Sequence, residues 1–176
     1  LAKEAVVTAD SWTEMSRVDL EVEMPVEYTP TSAPDDHRCF VVPWPETETA
    51  KVTGFVTEPG NQAIVHHVIS YVVPPESVDK ALELEASDPE PGYQCYGPAR
   101  INGQYLPWIS AWAPGASGGD FPPQTGIQVE PGSAIILQAH YNVVMSDPAP
   151  DKSRMIFQVD RDLPRIAALT PFTNYE

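Results

Sequence analysis

The stretch SAIILQAHYNV (residues 133–143) decides the fold, because its apolar and β-branched side chains predict a largely buried β-strand. Similar β-rich runs recur along the chain, and turns rich in proline and glycine separate them: residues 18–24, 38–42, 51–57, 64–73 and 154–159. Short strands at this spacing predict an all-β protein, built as an antiparallel jelly-roll β-sandwich.

Helix is predicted at one place only. Twenty prolines and ten glycines interrupt any longer helical repeat, and the best helical candidate is residues 76–85, after Pro74 and Pro75. Residues 87–104 and 113–123 are predicted to form long irregular loops. Loops of that length in a compact domain usually serve a site or a partner.

The length of 176 residues predicts one domain, spanning residues 1–176. Residues 1–14 are interpreted as a leader or edge segment, and residues 160–176 as an exit toward a possible second domain. The chain begins at Leu1 without methionine, which indicates a processed product or an excised piece. A chain of this size does not need a metal in order to fold, so a metal site in it is free to serve a function.

The charge excludes one class of partner. The chain has 25 acidic and 10 basic side chains, a net charge of −15, and no basic cluster. Nucleic-acid binding depends on lysine and arginine at phosphates, so we expect no nucleic-acid partner. No apolar run reaches the length that a membrane-spanning helix needs, so no transmembrane segment is predicted.

The four histidines are the most informative polar residues. His66, His67 and His140 lie in strand-like runs, where a buried imidazole needs a partner for each nitrogen. A metal would provide one such partner, although a hydrogen bond in the core would serve as well. Adjacent residues of a regular strand point to opposite faces, so His66 and His67 reach one metal only at a strand end, a strong twist or a bulge.

Three imidazoles without a thiolate suit either copper or zinc and leave a position open for another ligand. A copper site would store one electron, whereas a zinc site would acidify a bound water. The residue types do not distinguish the two metals.

Four segments, read in order, resemble the amino-terminal copper domain of the copper type II, ascorbate-dependent monooxygenases, the family of peptidylglycine α-hydroxylating and dopamine β-monooxygenases. The segments are HRCF (37–40), VHHVISY (65–71), YLPWISAWAPG (105–115) and ILQAHYN (136–142). The order and approximate spacing of these motifs hold across residues 38–142. A single His-His pair is weak evidence, whereas four motifs in order are strong evidence.

The resemblance implies that His66, His67 and His140 are the ligands of one electron-storing copper ion. Gln138 matches a glutamine that lies beside this copper in the family, and alternation along a strand places Gln138 and His140 on one face. His37 stands where the family usually has a tyrosine close to the copper. It is interpreted as an additional ligand, as a donor beside the site, or as a surface histidine.

The resemblance also implies that Cys39 and Cys95 form a disulfide, that the fold is a jelly roll, and that the protein passes through an oxidising compartment. Its predicted location is therefore secreted, periplasmic or extracellular. One departure is that Val68 replaces the methionine that follows the His-His pair in the family, and the cysteine after it is missing. A larger departure is that no His-x-His pair occurs, so the chain lacks the second, oxygen-activating copper, and no catalytic residue is identified.

These observations predict a copper-binding, electron-storing domain of a secreted copper-dependent monooxygenase. Its copper would take an electron from ascorbate or another reductant, and its partner would be a second copper domain or an electron-transfer protein. The alternative is a stand-alone periplasmic or extracellular copper-binding or electron-transfer protein without hydroxylase activity. A hydrolytic zinc site and a purely structural domain remain further alternatives.

Two other pairs of residues were interpreted without a role at the metal. Asp35 and Asp36 are interpreted as turn carboxylates. Trp108 and Trp112 frame a segment that lines a cleft or, as aromatics more often do, packs in the core.

Overall fold

The structure, a computed structural model, describes residues 15–116 and 118–169, and regular structure there is mostly β-strand. One helix, α1 (Val78–Ser87), follows a 3₁₀ turn at Pro75–Ser77. The strands are β1 (Leu20–Glu23), β2 (Asp35–Pro43), β3 (Ala50–Glu58), β4 (Val65–Val73), β5 (Tyr93–Gln94), β6 (Arg100–Ile101), β7 (Gln104–Tyr105), β8 (Trp108–Trp112), β9 (Gly118–Asp120), β10 (Thr125–Val129), β11 (Ala134–Asn142), β12 (Arg154–Asp160) and β13 (Arg165–Ile166).

The predicted fold class is confirmed as all-β with antiparallel sheets. Each predicted strand is present, as β1, β2, β3, β4, β11 and β12, and the predicted helix is α1 with its 3₁₀ turn. The two predicted loops are not fully irregular, because they contain the short strands β5, β6 and β9. Strands of two or three residues are too short to show a hydrophobic period in the sequence. The interpretations of residues 1–14 and 170–176 fall outside the described residues.

The strands form two main sheets. In sheet I the order is β1-β12-β3-β10-β13, with β9 also paired to β3; in sheet II it is β5-β2-β11-β4-β8. All of these pairs are antiparallel except β10 with β13, which are parallel. Among the described residues, no helix has the length and apolar character needed to cross a membrane.

The core lies between the two sheets. Val52 and Phe157 of sheet I pack in one buried cluster with Phe40, Val68 and Leu137 of sheet II. Burying one such side chain stabilises the fold by about 1.5–3 kcal/mol. Strand β11 is central in sheet II and buried along most of its length, so its position is fixed by neighbours on both sides and by the opposite sheet.

A buried polar network holds the end of β11. The Tyr141 hydroxyl donates to Asp151 Oδ2 over 2.9 Å, and the same carboxylate accepts from the Ser153 hydroxyl and from the backbone N–H of Asn61. Burial, and then the nearby Asp151, raise the pKa of Tyr141 above its ordinary value, so the phenol remains a donor. Because removing one donor would leave a buried carboxylate undersatisfied, this network fixes the chain next to His140.

The outer face of sheet II is partly covered by α1 and residues 88–107, which we call the cover. Ala81, Ile101 and Leu106 of the cover pack on Tyr71 and Ile136 of the sheet. Where the cover meets β2, Gly92 has a φ of 69°, and a Cβ there would lie 2.5 Å from the Cys39 carbonyl oxygen. Only glycine fits this close approach.

The cover is also joined to the sheet by a covalent bond and by an ion pair. Cys39 of β2 and Cys95 form a disulfide, which confirms the pairing that the family resemblance implied. The Arg38 guanidinium donates to both carboxylate oxygens of Asp88, at 3.0 and 3.1 Å. Asp88 therefore has a pKa below its ordinary value, with the Arg38 hydrogen bond as the largest cause.

Replacing both cysteines with alanine is expected to lower the free energy of unfolding by about 4 kcal/mol, because the disulfide closes a loop with a sequence separation of 56 residues. Urea denaturation of the two proteins measures the difference. Wild-type protein in excess reductant is the control and should unfold at the urea midpoint of the double variant. Equal stabilities of oxidised wild type and variant would contradict the prediction.

Candidate metal centre

His37, His140 and His67 lie side by side on the outer face of sheet II, on three neighbouring strands. Strands β2, β11 and β4 are in register here, so His140 is opposite His37 on one side and opposite His67 on the other. Two residues along β11, Gln138 is opposite Cys39 and Ile69 and lies on the same face. The imidazoles of His37, His140 and His67 therefore form a row across the sheet, next to the edge of the cover.

A bulge brings His66 to the same site. The register between β11 and β4 shifts after His140, so that Tyr141 is opposite Val65 and His66 is the extra residue of β4. A bulge breaks the strict alternation of side chains along a strand. His66 and His67 can therefore face the same point, and a bulge is one of the three ways to achieve this that the sequence analysis named.

The ring nitrogens converge through their Nδ1 atoms. The Nδ1 atom of His67 lies 3.2 Å from that of His66 and 3.3 Å from that of His140. The ligand atoms of all three residues lie within 4.8 Å of one another. Metal–nitrogen bonds of about 2.0–2.1 Å at tetrahedral angles separate two nitrogens by about 3.3 Å. Two of the nitrogen–nitrogen separations therefore already match the spacing of ligands around one ion.

Asp35 orients the ring of His140. The Nε2 atom of His140 lies 2.9 Å from Asp35 Oδ1, which also accepts a hydrogen bond of 2.8 Å from the side chain of Asn142. Both hydrogen bonds lower the pKa of Asp35, and the one from Asn142 has the larger effect. A proton on Nε2 leaves the lone pair on Nδ1, the nitrogen that faces the other histidines.

The interpretation of Asp35 as a turn carboxylate was wrong. Asp35 is the first residue of β2, and its side chain bonds a histidine of the cluster. A usable signal was present, because residues two apart on a strand share a face and His37 follows Asp35 at that spacing. Asp36 instead points to the buried Tyr28 hydroxyl, which donates to it over 2.8 Å.

His67 is the histidine whose surroundings disfavour charge most. Burial, and then the nearby imidazoles, lower the pKa of His67 to about 4. The ring is therefore neutral near pH 7, the form in which histidine binds a metal. In contrast, the His66 side chain is exposed, so the site has one side open to solvent and one side against the protein.

His37 lies beside the cluster as a stacking partner. Its ring lies parallel to that of His140, with centroids 4.0 Å apart and an interplanar angle of 10°. Its nitrogens do not belong to the convergent group of ligand atoms found among the described residues. Burial lowers the pKa of His37 as well, with His140 as the next cause.

Gln138 is buried next to the row of histidines, and its amide bonds the cover. Its Nε2 donates to the Gly97 carbonyl over 2.9 Å and lies 3.4 Å from Cys95 Sγ, and its Oε1 accepts from the Tyr71 hydroxyl over 3.2 Å. Gln138 therefore holds the edge of the cover at a fixed distance from the imidazoles. No hydrogen bond from Gln138 to a histidine is found in the part of the chain that the structure describes.

The two tryptophans flank the site at different depths. Trp112 is buried in the core, whereas Trp108 is partly exposed and makes an edge contact with Tyr71 at 6.0 Å. Each tryptophan also lines one of two cavities that open beside His67, so both the cleft and the core interpretation describe part of this segment.

Comparison with known proteins adds no assignment. None of the protein-family models searched matches the chain, and no curated protein matches it.

Replacing Asp35 with asparagine is expected to weaken copper(II) binding by about 10- to 100-fold, because the neutral amide no longer holds the His140 ring by a charge-assisted hydrogen bond. Competition against a chelator of known affinity measures the change. Asp79→Asn, an exposed residue of α1, is the matched control and should bind copper as the wild type does. Equal affinities for both variants would show that Asp35 does not act on the site.

Proposed function

We propose that this protein binds one copper ion through His66, His67 and His140 and holds one electron on it. The observation that carries the proposal is the convergence of three Nδ1 atoms at separations of 3.2 and 3.3 Å between neighbouring pairs. Copper bound there would store an electron by changing between Cu(II) and Cu(I), both of which accept imidazole ligands.

The residues of the chain prepare the site. Asp35 holds Nε2 of His140, which turns Nδ1 toward the other histidines, and burial keeps His67 neutral, so the His67 ring offers a lone pair without first losing a proton. His37 packs against His140 and limits rotation of that ring. The donor set contains no thiolate, because both cysteines of the chain are in the disulfide.

The proposal includes membership of the copper type II, ascorbate-dependent monooxygenases, with ascorbate or another reductant as the electron donor. It also includes a jelly-roll topology, which is supported by the repeated passage of the chain between the two sheets, as from β2 to β3 to β4 and from β10 to β11 to β12. A disulfide is consistent with passage through an oxidising compartment, which a secreted, periplasmic or extracellular protein would have.

One observation favours the second candidate, a stand-alone copper-binding or electron-transfer protein. The chain has four histidines, and all of them lie in this cluster or stacked against it. This chain therefore offers no histidines for a second copper site. As part of a monooxygenase it would have to supply its electron to a copper domain outside this sequence.

Metal analysis and EPR of copper-loaded protein test the ligand set. The wild type should bind one copper with nitrogen hyperfine structure, whereas His66→Ala and His140→Ala should each lose that signal, because two imidazoles do not complete the site. His37→Phe keeps the stacking ring and should retain one copper. Unchanged copper content in either alanine variant would contradict the proposal, and a sample that takes up zinc but no copper would favour a hydrolytic site.

Redox cycling tests the electron-storing role separately. One equivalent of a one-electron reductant should remove the copper(II) EPR signal, and a mild oxidant should restore it without loss of metal, because the same three neutral ligands suit both oxidation states. The cycle is followed by EPR and by metal analysis after gel filtration. Loss of copper on reduction would show that the site does not hold Cu(I).

A further inference from the structure

A small cavity opens between the cover and the row of histidines. Its volume is about 260 Å³, and it is lined by His37, His67, Ile69, Tyr71, Tyr96, Gly97, Pro98, Trp108 and Gln138. The buried Gln138 is part of this lining, and its hydrogen bond to Gly97 joins the sheet to the cover. The cavity thus lies between the sheet on one side and the cover on the other.

The size and lining of the cavity fit one flat ring. A closed apolar cavity of roughly 150 Å³ already accommodates benzene, and drug-sized ligands need roughly 300 Å³ or more. Trp108 and Tyr71 meet edge to face on the sheet side, at 6.0 Å and 81°, and the Tyr96 ring lies on the cover side, 5.0 Å from the His37 ring. Aromatic rings that line a cavity attract the ring of a ligand, which packs on them by its face or its edge.

The lining offers hydrogen-bonding groups of both kinds. Among the described residues, neither ring nitrogen of His37 has a hydrogen-bond partner, so its neutral ring offers one N–H donor and one lone pair, and the Tyr96 hydroxyl and the Trp108 indole N–H also line the cavity. The Gln138 Oε1 accepts one hydrogen bond, from Tyr71, and has capacity for a second, whereas the N–H groups of its amide point to Gly97 O and Cys95 Sγ. A hydroxyl group on a ligand both donates and accepts, and therefore suits this lining.

The charge near the cavity disfavours an anion. No lysine or arginine lines it, the whole chain has a net charge of −15, and Asp35 lies 2.9 Å from the neighbouring His140. An anionic ligand would enter a weakly hydrated cleft without a cation to pair with it. A neutral ring does not have this cost.

We infer that this cavity binds a neutral, single-ring phenol, whose ring lies between Trp108 and Tyr96 and whose hydroxyl faces His37 or Gln138. The ligand would sit against His67, one of the three proposed copper ligands. The inference goes beyond the proposed function and does not depend on it, because the cavity is formed by the protein alone.

NMR of the metal-free protein tests the inference. Titration with 4-methylphenol should shift the Trp108 indole N–H and the Gly97 amide saturably, with a dissociation constant on the order of 1 mM for a ligand of this size. Cyclohexanol, which has a hydroxyl but no aromatic ring, should bind about 3- to 10-fold more weakly. Ascorbate, an anion at pH 7, should produce no saturable shift at these two positions.

Three variants test whether the phenol binds in this cavity. Tyr96→Ala removes an 88% exposed ring and should weaken 4-methylphenol binding by about 3- to 10-fold without affecting the core. His37→Phe keeps an aromatic ring but removes both ring nitrogens and should weaken 4-methylphenol binding by about 2- to 10-fold. Ala113→Leu, in the neighbouring cavity lined by Ala111 and Trp112, is the matched control and should not change binding.

Three results would overturn the inference: no saturable shift at Trp108 and Gly97, shifts confined to Trp112 and Ala113, or ascorbate binding as tightly as the phenol. None of them would affect the copper proposal, which depends on the EPR of the histidine variants. Conversely, if the protein binds the phenol but no copper, the inference about the cavity stands and the proposed electron-storing role is wrong.

Discussion

The register between β4 and β11, with its single shift after His140, is the constraint on which the site depends. In a regular ladder, His66 and His67 would point to opposite faces, and one of them would lie in the core between the sheets. The shift places one extra residue in β4 and keeps Val65 and Val68 buried while both histidines face outward. The hydrophobic positions on either side of the pair thus fix the bulge, because slipping the strand by one residue would expose them.

The strands that carry the histidines are held from both faces. On the inner face, β11 packs in the core, and Tyr141 is bonded to the buried Asp151. On the outer face, the cover is joined to β2 by the disulfide and to β11 by Gln138. Side chains on such strands are positioned more firmly than side chains on loops, so the three imidazoles are held near a common point before any ion binds.

Much of the fold was predictable from the sequence, whereas the contacts that complete the site were not. The strands 133–143 and 64–73 stand out because their apolar runs are long, and the histidines were evident within them. The register that brings His140 opposite His67 depends on which strands become neighbours, and a local pattern does not contain that information. Asp35 was missed for a related reason: its acidic neighbour Asp36 suggested a turn, and the pairing partner that extends β2 to this point lies on β11. The stacking of His37 on His140 depends on the same pairing.

The surroundings of the histidine cluster differ between its buried side and its solvent side. Burial and the neighbouring imidazoles lower the pKa of His67 to about 4, which means that positive charge at this ring is disfavoured. Asp35 opposes this effect at His140, but it lies on the solvent side, where its side chain is 45% exposed and its field is weakened by water. The cluster therefore has a buried side that keeps His67 neutral and a solvent side that carries a carboxylate.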